Sequence, residues 1–191
     1  MIFLSNNDNT EPLVAWLKQV GERVIEISDP LDVETVEEAD PALVLSFNYR
    51  HIVRRDVIDA VRGRIINVHC SLLPWNRGAS PNFFSFYDNT PKGVSVHELT
   101  EKLDQGRILL QREVHMSDIE TFSSSYAKLI ATAIDLVKVN WKDLRDGICL
   151  PYPQKGEGSY HTVAEMQALR EKYPFAWSDR IDVWKERYGL E

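Results

Sequence analysis

The sequence predicts an α/β protein, a twisted and mostly parallel β-sheet flanked by helices. Two patterns carry that prediction. Short runs of branched apolar residues alternate with stretches in which apolar residues recur at helical spacing. One such run, Ile65–His69, is followed at once by a loop that contains Pro74 and Gly78. Sheets of this kind hold ligands beyond the carboxyl ends of their strands, which here places Phe47 and His69 at the ligand side.

The elements follow in order. Ile2–Ser5 is a short apolar strand. Thr10 is placed to cap a helix in which Leu13, Trp16, Leu17 and Val20 share a face, and Gly21 suits its end. Val24–Ile27 reads as the next strand and Asp32–Ala39 as a short acidic helix. Leu43–Phe47 is a buried strand. Val53, Val57, Ile58 and Val61 mark a helix that closes near Gly63, and Ile65–His69 is another strand. Pro81–Tyr87 is a short aromatic helix. Gly93–Leu99 and Ile108–Val114 are strands on either side of a loop carrying Asp104. From Thr121 a long helix sets Tyr126, Leu129, Ile130, Ala133, Leu136 and Val137 on one face.

Residues 1–150 are expected to form the main domain and 151–191 a loop and helical tail packed on it. Composition changes after Cys149: Pro151–Gly158 has turn chemistry, and Thr162 with Glu165 matches a capping box. Trp177, Ile181, Trp184 and Tyr188 are expected on one face of a terminal helix.

Bulk properties exclude some functions. A net charge of −7 gives no support to nucleic-acid binding, which needs clustered Lys and Arg. No apolar run approaches the roughly 20 residues of a membrane span, and the start lacks a basic, then apolar, leader. Cys70 and Cys149 have no metal-ligand or disulfide spacing, so a cytoplasmic protein without a metal is expected.

Chemistry concentrates in four motifs: Asn67-Val68-His69-Cys70-Ser71-Leu72-Leu73-Pro74, Arg77-Gly78-Ala79, Gly93-Val94-Ser95-Val96-His97 and Leu103-Asp104-Gln105-Gly106-Arg107-Ile108. Asn67 and His69 alternate on a strand and so share a face. An amide and an imidazole there, with a carboxylate nearby, suit an oxyanion next to a proton acceptor.

In these motifs the chain resembles the folate-dependent formyltransferases, a family that includes glycinamide ribonucleotide, methionyl-tRNA and sugar N-formyltransferases. The matching core runs from about Leu43 to about Val114. The resemblance implies a Rossmann-like formyltransferase fold, 10-formyltetrahydrofolate as co-substrate, and a catalytic set of Asn67, His69 and Asp104. It implies folate contacts from Phe47, Asn48, Tyr49 and Arg50 and from Leu99, Glu101, Leu103 and Asp104. Acceptor contacts are expected from Ser71, Arg77, Gly78 and Asn82. It also implies a cis Leu73–Pro74 bond and a possible homodimer.

Departures from the family indicate the acceptor. After the first strand, Ser5-Asn6-Asn7-Asp8-Asn9-Thr10 offers neither glycine nor positive charge for a phosphate, unlike the glycinamide ribonucleotide type. The chain is too short for the extra β-domain of the tRNA-specific type. It is closest in type to sugar N-formyltransferases and to compact, stand-alone methionyl-tRNA-formyltransferase-like proteins. The expected reaction is formyl transfer to a small amine, foremost a nucleotide-linked amino sugar. The alternatives are a formyltetrahydrofolate hydrolase, a glycinamide ribonucleotide-type transferase and a non-catalytic folate-binding module.

Other conspicuous residues have plainer explanations. Cys70, adjacent to His69 on a strand, faces the opposite side and is expected in the core. His97 also sits on a strand and is a candidate to line the site, with a packed, satisfied histidine the preferred reading. Phe83, Phe84, Phe86 and Tyr87 read mainly as core, and Glu34, Glu37, Glu38 and Asp40 as a solvated face.

Overall fold

A computed structural model describes residues 1–117 and 119–190. Glu191, the end of the expected tail, lies outside the described residues. The elements are β1 (Ile2–Leu4), α1 (Glu11–Gln19), β2 (Ile25–Ile27), α2 (Val33–Ala39), β3 (Leu43–Phe47), α3 (Arg55–Ala60), β4 (Arg64–His69) and β5 (Arg77–Gly78). They continue with α4 (Pro81–Tyr87), β6 (Gly93–Glu98), β7 (Ile108–Glu113), α5 (Phe122–Val139), α6 (Trp141–Asp146), β8 (Tyr160–His161), α7 (Val163–Lys172) and α8 (Ile181–Tyr188).

The main sheet has the order β2-β1-β3-β4-β6-β7. Its first four strands run parallel, and β6 and β7 add an antiparallel edge. The expected mostly parallel α/β sheet is therefore present. Alternation along the strands divides the core between two faces. Phe3, Leu45, Phe47, Ile66 and Val68 pack with residues of α1, α5 and α6. Ile2, Leu4, Val44 and Ile65 face the other way, onto residues of α2 and α3. A third cluster joins Phe83, Phe84 and Phe86 of α4 to Phe122, Phe175, Ile181 and Trp184. The α4 aromatics are thus core, and the tail residues that meet them supply the other half of that cluster.

Three local expectations need correcting. The Thr10 hydroxyl does not cap α1; it donates to the Asn7 carbonyl at 2.8 Å and meets Ser5 Oγ at 2.8 Å. Val53 precedes α3 and Val61 follows it, each buried from the flanking chain rather than from the helix. Trp177 precedes α8 and lies against Tyr126. The expected capping box of Thr162 with Glu165 opens α7, and a second one, Thr121 with Ser124, opens α5 where the long helix was expected to start. Among the described residues no helix is long and apolar enough to cross a membrane.

Candidate active site

Asn67 and His69 leave β4 on the face opposite Ile66, Val68 and Cys70. Cys70 lies in the core, where burial pushes its thiol up to about 12 and keeps it protonated. Strand register brings in a residue that the sequence favoured as packed core over part of the site. His97 of β6 is the direct cross-strand partner of Asn67. Its Nε2 lies 3.2 Å from Asn67 Nδ2, and its Nδ1 donates to the Glu98 carbonyl at 2.8 Å. An antiparallel register cannot be read from one sequence, so only the position of His97 on a strand next to the Asp104 loop could have pointed to it.

Asp104 arrives from the loop between β6 and β7. It has left-handed backbone (φ 51°), which aspartate tolerates better than most residues. Gly106 closes that loop: a Cβ there would sit 1.7 Å from the Glu98 carbonyl oxygen. The carboxylate is central to the site. Its Oδ2 accepts the Gly78 N–H at 2.9 Å and lies 3.7 Å from His69 Nδ1. Its Oδ1 accepts from Asn67 Nδ2 at 3.4 Å and lies 3.4 Å from His97 Nε2. Burial alone would push the carboxyl up. The His69 and His97 imidazoles and the Gly78 N–H outweigh it and hold Asp104 well below the usual carboxylate range.

His69 is 8% exposed, and its Nε2 lies 2.8 Å from the Asn76 carbonyl. That carbonyl orients the ring and leaves Nδ1 towards Asp104. Asn76 is itself held through Thr90 Oγ1 at 2.7 Å and Ser159 Oγ at 2.8 Å. The Leu73–Pro74 bond in the same loop is cis. Asn67, His69, His97 and Asp104 therefore converge at one strand end.

The other expected site residues are placed as follows. Gly78 touches the cluster through its N–H, and at φ 85° a Cβ would meet the His161 carbonyl at 2.3 Å, so only glycine fits. Ser71 Oγ donates to the Trp75 carbonyl at 2.7 Å. Arg77 is turned to the tail, with Nη1 donating to the Glu157 carbonyl at 3.2 Å. Asn82 does not meet the expectation of a surface facing an acceptor. It is 5% exposed, and its Nδ2 donates to Phe122 O and Ser125 Oγ, joining α4 to α5.

On the expected folate side, the Phe47 side chain is fully buried in the core, leaving only its backbone for a ligand. Asn48 Nδ2 donates to Asn9 Oδ1 and Tyr126 Oη, both at 3.0 Å. Tyr49 Oη donates to the Asp29 carbonyl at 2.5 Å. Arg50 is exposed, Glu101 pairs with Arg55 at 3.7 Å, and Leu103 is half exposed. Leu99 and Tyr49 pack on the same α2–α3 cluster, so the two loops share one wall. Cavities of about 360 Å³ beyond β1 and β2 and about 650 Å³ along α1 and α5 include none of the converging residues. Among the described residues no group of His, Cys, Asp and Glu is arranged to hold a metal ion.

A six-stranded sheet with Asn67, His69 and Asp104 gathered at one strand end is the arrangement that the resemblance to formyltransferases implied. The Formyl transferase family model matches residues 11–136, and the chain belongs to that family. Over 151 residues it is 34% identical to dTDP-4-amino-4,6-dideoxyglucose formyltransferase of Mycobacterium tuberculosis, covering 79% of this chain. The chain spans 59% of the length of that curated relative. Among solved structures it is similar to the formyltransferase PseJ from Anoxybacillus kamchatkensis, crystallised with UDP-4,6-dideoxy-4-formamido-L-AltNAc and tetrahydrofolate. There the TM-score is 0.86 at 30% identity, with 95% of each chain covered. It is also similar to a sugar N-formyltransferase from Shewanella, with TM-score 0.74, 25% identity and 88% and 78% of the two chains covered.

Proposed function

We propose that this chain transfers a formyl group from 10-formyltetrahydrofolate to the amine of a nucleotide-linked amino sugar. The observation that carries the reading is the ionised, buried Asp104 in reach of Asn67, His69 and His97 at the carboxyl end of β4. The likeness to PseJ, which is matched along almost the whole of both chains, supports the folate donor and the sugar acceptor.

The residues present fit such a donor. The half-exposed Leu103 and the Tyr49–Leu99 wall offer apolar surface to a flat ring. When bound, formyltetrahydrofolate supplies the formyl carbon that an amine attacks. Asn67 Nδ2 is the amide donor available to the carbonyl oxygen as charge grows on it. In a doubly protonated His69 the Nε2–H is held by the Asn76 carbonyl, and the Nδ1–H, 3.7 Å from Asp104 Oδ2, is the donor that can turn to the same oxygen. Asp104, ionised at neutral pH, accepts the proton that the amine must lose, directly or through water. Residues 1–150 and the tail from 151 are proposed to work as one unit, because the tail crosses both site loops. The expected cytoplasmic location and homodimer remain part of this reading, and light scattering on the purified chain tests the dimer.

The test is formyl transfer by the purified chain from formyltetrahydrofolate to UDP- and dTDP-linked 4-amino sugars, glycinamide ribonucleotide and amino acids, read by mass spectrometry. One amino sugar is expected to gain a formyl group, and His69→Ala is expected to lower the rate about a hundredfold or more. A variant rate within about tenfold of the wild type would remove His69 from its role. Folate turnover without a formylated product would replace the reading with a hydrolase, and folate binding without turnover with a binding module.

A further inference from the structure

Besides Ser159, which holds Asn76, the tail contributes Gln154 to the machinery of the site. Gln154 lies in the loop between α6 and β8, between the two segments that deliver Arg77 and Asp104. Its Nε2 donates to the Asp104 carbonyl at 2.8 Å and to the Gly106 carbonyl at 2.9 Å. Its Oε1 accepts from Arg77 Nε at 3.0 Å and Nη2 at 2.8 Å. Both amide hydrogens and both oxygen lone pairs are thus used. The circuit closes through the next residue, since the Gly78 N–H donates to Asp104 Oδ2 at 2.9 Å. One amide therefore fixes the backbone of Asp104 from one side, while the segment it anchors through Arg77 fixes the carboxylate from the other.

We propose that Gln154 is a positioning residue for the formyl-transfer site, holding the Asp104 loop and the Arg77–Gly78 segment in register. The proposal rests on the formyltransferase reading for its effect on rate. Asp104 needs such a hold for two reasons. Its backbone is left-handed, a conformation that surrounding contacts must maintain, and its distances of 3.4–3.7 Å to Asn67, His69 and His97 leave little room for drift. Few substitutes can do this. Asparagine is one methylene too short to span the gap. Glutamate keeps the Arg77 partner but sets a carboxylate oxygen against two carbonyl oxygens. Protonation of that glutamate restores one of the two donors.

The experiment compares the full chain with Gln154→Ala and Gln154→Glu. For Gln154→Ala, kcat is expected to fall about tenfold to a hundredfold while KM for folate and acceptor stays within about threefold. For Gln154→Glu, the variant-to-wild-type ratio of kcat is expected to rise as pH is lowered, because the neutral side chain donates again. A purely structural role would not give that dependence. A kcat for Gln154→Ala within about threefold of the wild type, or a flat ratio for Gln154→Glu, overturns the proposal. If the wild type transfers formyl to no amine, the functional reading fails, and amide exchange then decides the positioning role separately. The Gly78 N–H is expected to be protected in the wild type and to exchange at least about tenfold faster in Gln154→Ala. Equal exchange overturns the proposal.

Discussion

Two loops at the carboxyl end of the same sheet are built from opposite chemistry. After β1, Ser5–Thr10 carries mostly neutral amides and hydroxyls that satisfy one another. Asn6 Nδ2 donates to the Ser28 carbonyl at 2.7 Å, and Asn7 Oδ1 accepts the Asn9 N–H at 3.2 Å. Asn9 Nδ2 and Asn48 Nδ2 both donate to Tyr126 Oη, at 3.3 and 3.0 Å. After β4, the converging side chains are mostly titratable, and the distances among them are longer. The first arrangement is largely bonded within itself and to neighbouring loops, although its residues also line the cavity of about 360 Å³ beyond β1 and β2. The second keeps an ionised carboxylate between two imidazoles at contacts that a bound substrate can tighten. What separates the second loop in this sheet is that its polar side chains, besides their backbone partners, also face one another as titratable groups.

The largest effect should come from removing the charge that organises the second loop. Asp104→Asn keeps an acceptor for the Gly78 N–H but loses the base, so formyl transfer should fall on the order of a thousandfold. Stability gives an independent reading. The Asp104 carboxyl is lower in the folded protein than in the unfolded chain, so its contribution is complete above the unfolded carboxyl value of about 4. It is lost as pH falls through the lower folded value. The Tm gap between wild type and Asp104→Asn should hold from neutral pH down to about 5 and narrow below about 4. A gap that widens in acid would contradict the ionised, buried Asp104.

Gly106→Ala should come next. Its Cβ would collide with the Glu98 carbonyl, and the loop must move to admit it, at about 1–3 kcal/mol of stability. Because Asp104 is two residues away, activity should fall by more than stability alone explains. Thermal denaturation and transfer rate on the same sample check this. A folded variant with full activity would show that the Asp104 geometry is not tied to the loop closure.

How far the sequence carried follows from the range of the interactions. The strands were legible from local apolar runs, as were α5 and the Thr162–Glu165 capping box, because periodicity and capping act within a few residues. Asn67, His69 and Asp104 stood out because motif and alternation are also local. His97 was legible only as a strand histidine that could line the site, because its role depends on which residue of β4 it faces, and register is set by the whole sheet. Arg77 and Asn82 were expected to meet an acceptor from their place in the loop after β4. Folding instead aimed one at Gln154, 77 residues away, and the other into the joint between α4 and α5. Gln154 itself sits in a loop with ordinary turn chemistry and carries no local signal.

The smallest effect should appear in the loop after β1, and it sharpens the contrast most. Burial pushes the Tyr126 phenol above its ordinary value, so it remains a neutral hydroxyl that accepts from Asn9 and Asn48. Tyr126→Phe removes that acceptor while Asn48 Nδ2 keeps Asn9 Oδ1 at 3.0 Å. The cost should be about 1 kcal/mol in stability, measured by denaturant unfolding, with kcat within about threefold of the wild type. A loss of activity beyond about tenfold, with stability nearly unchanged, would mean that the loop after β1 reaches the substrate. The two strand ends would then form one site, and mutual satisfaction of polar groups would no longer separate structure from chemistry in this sheet.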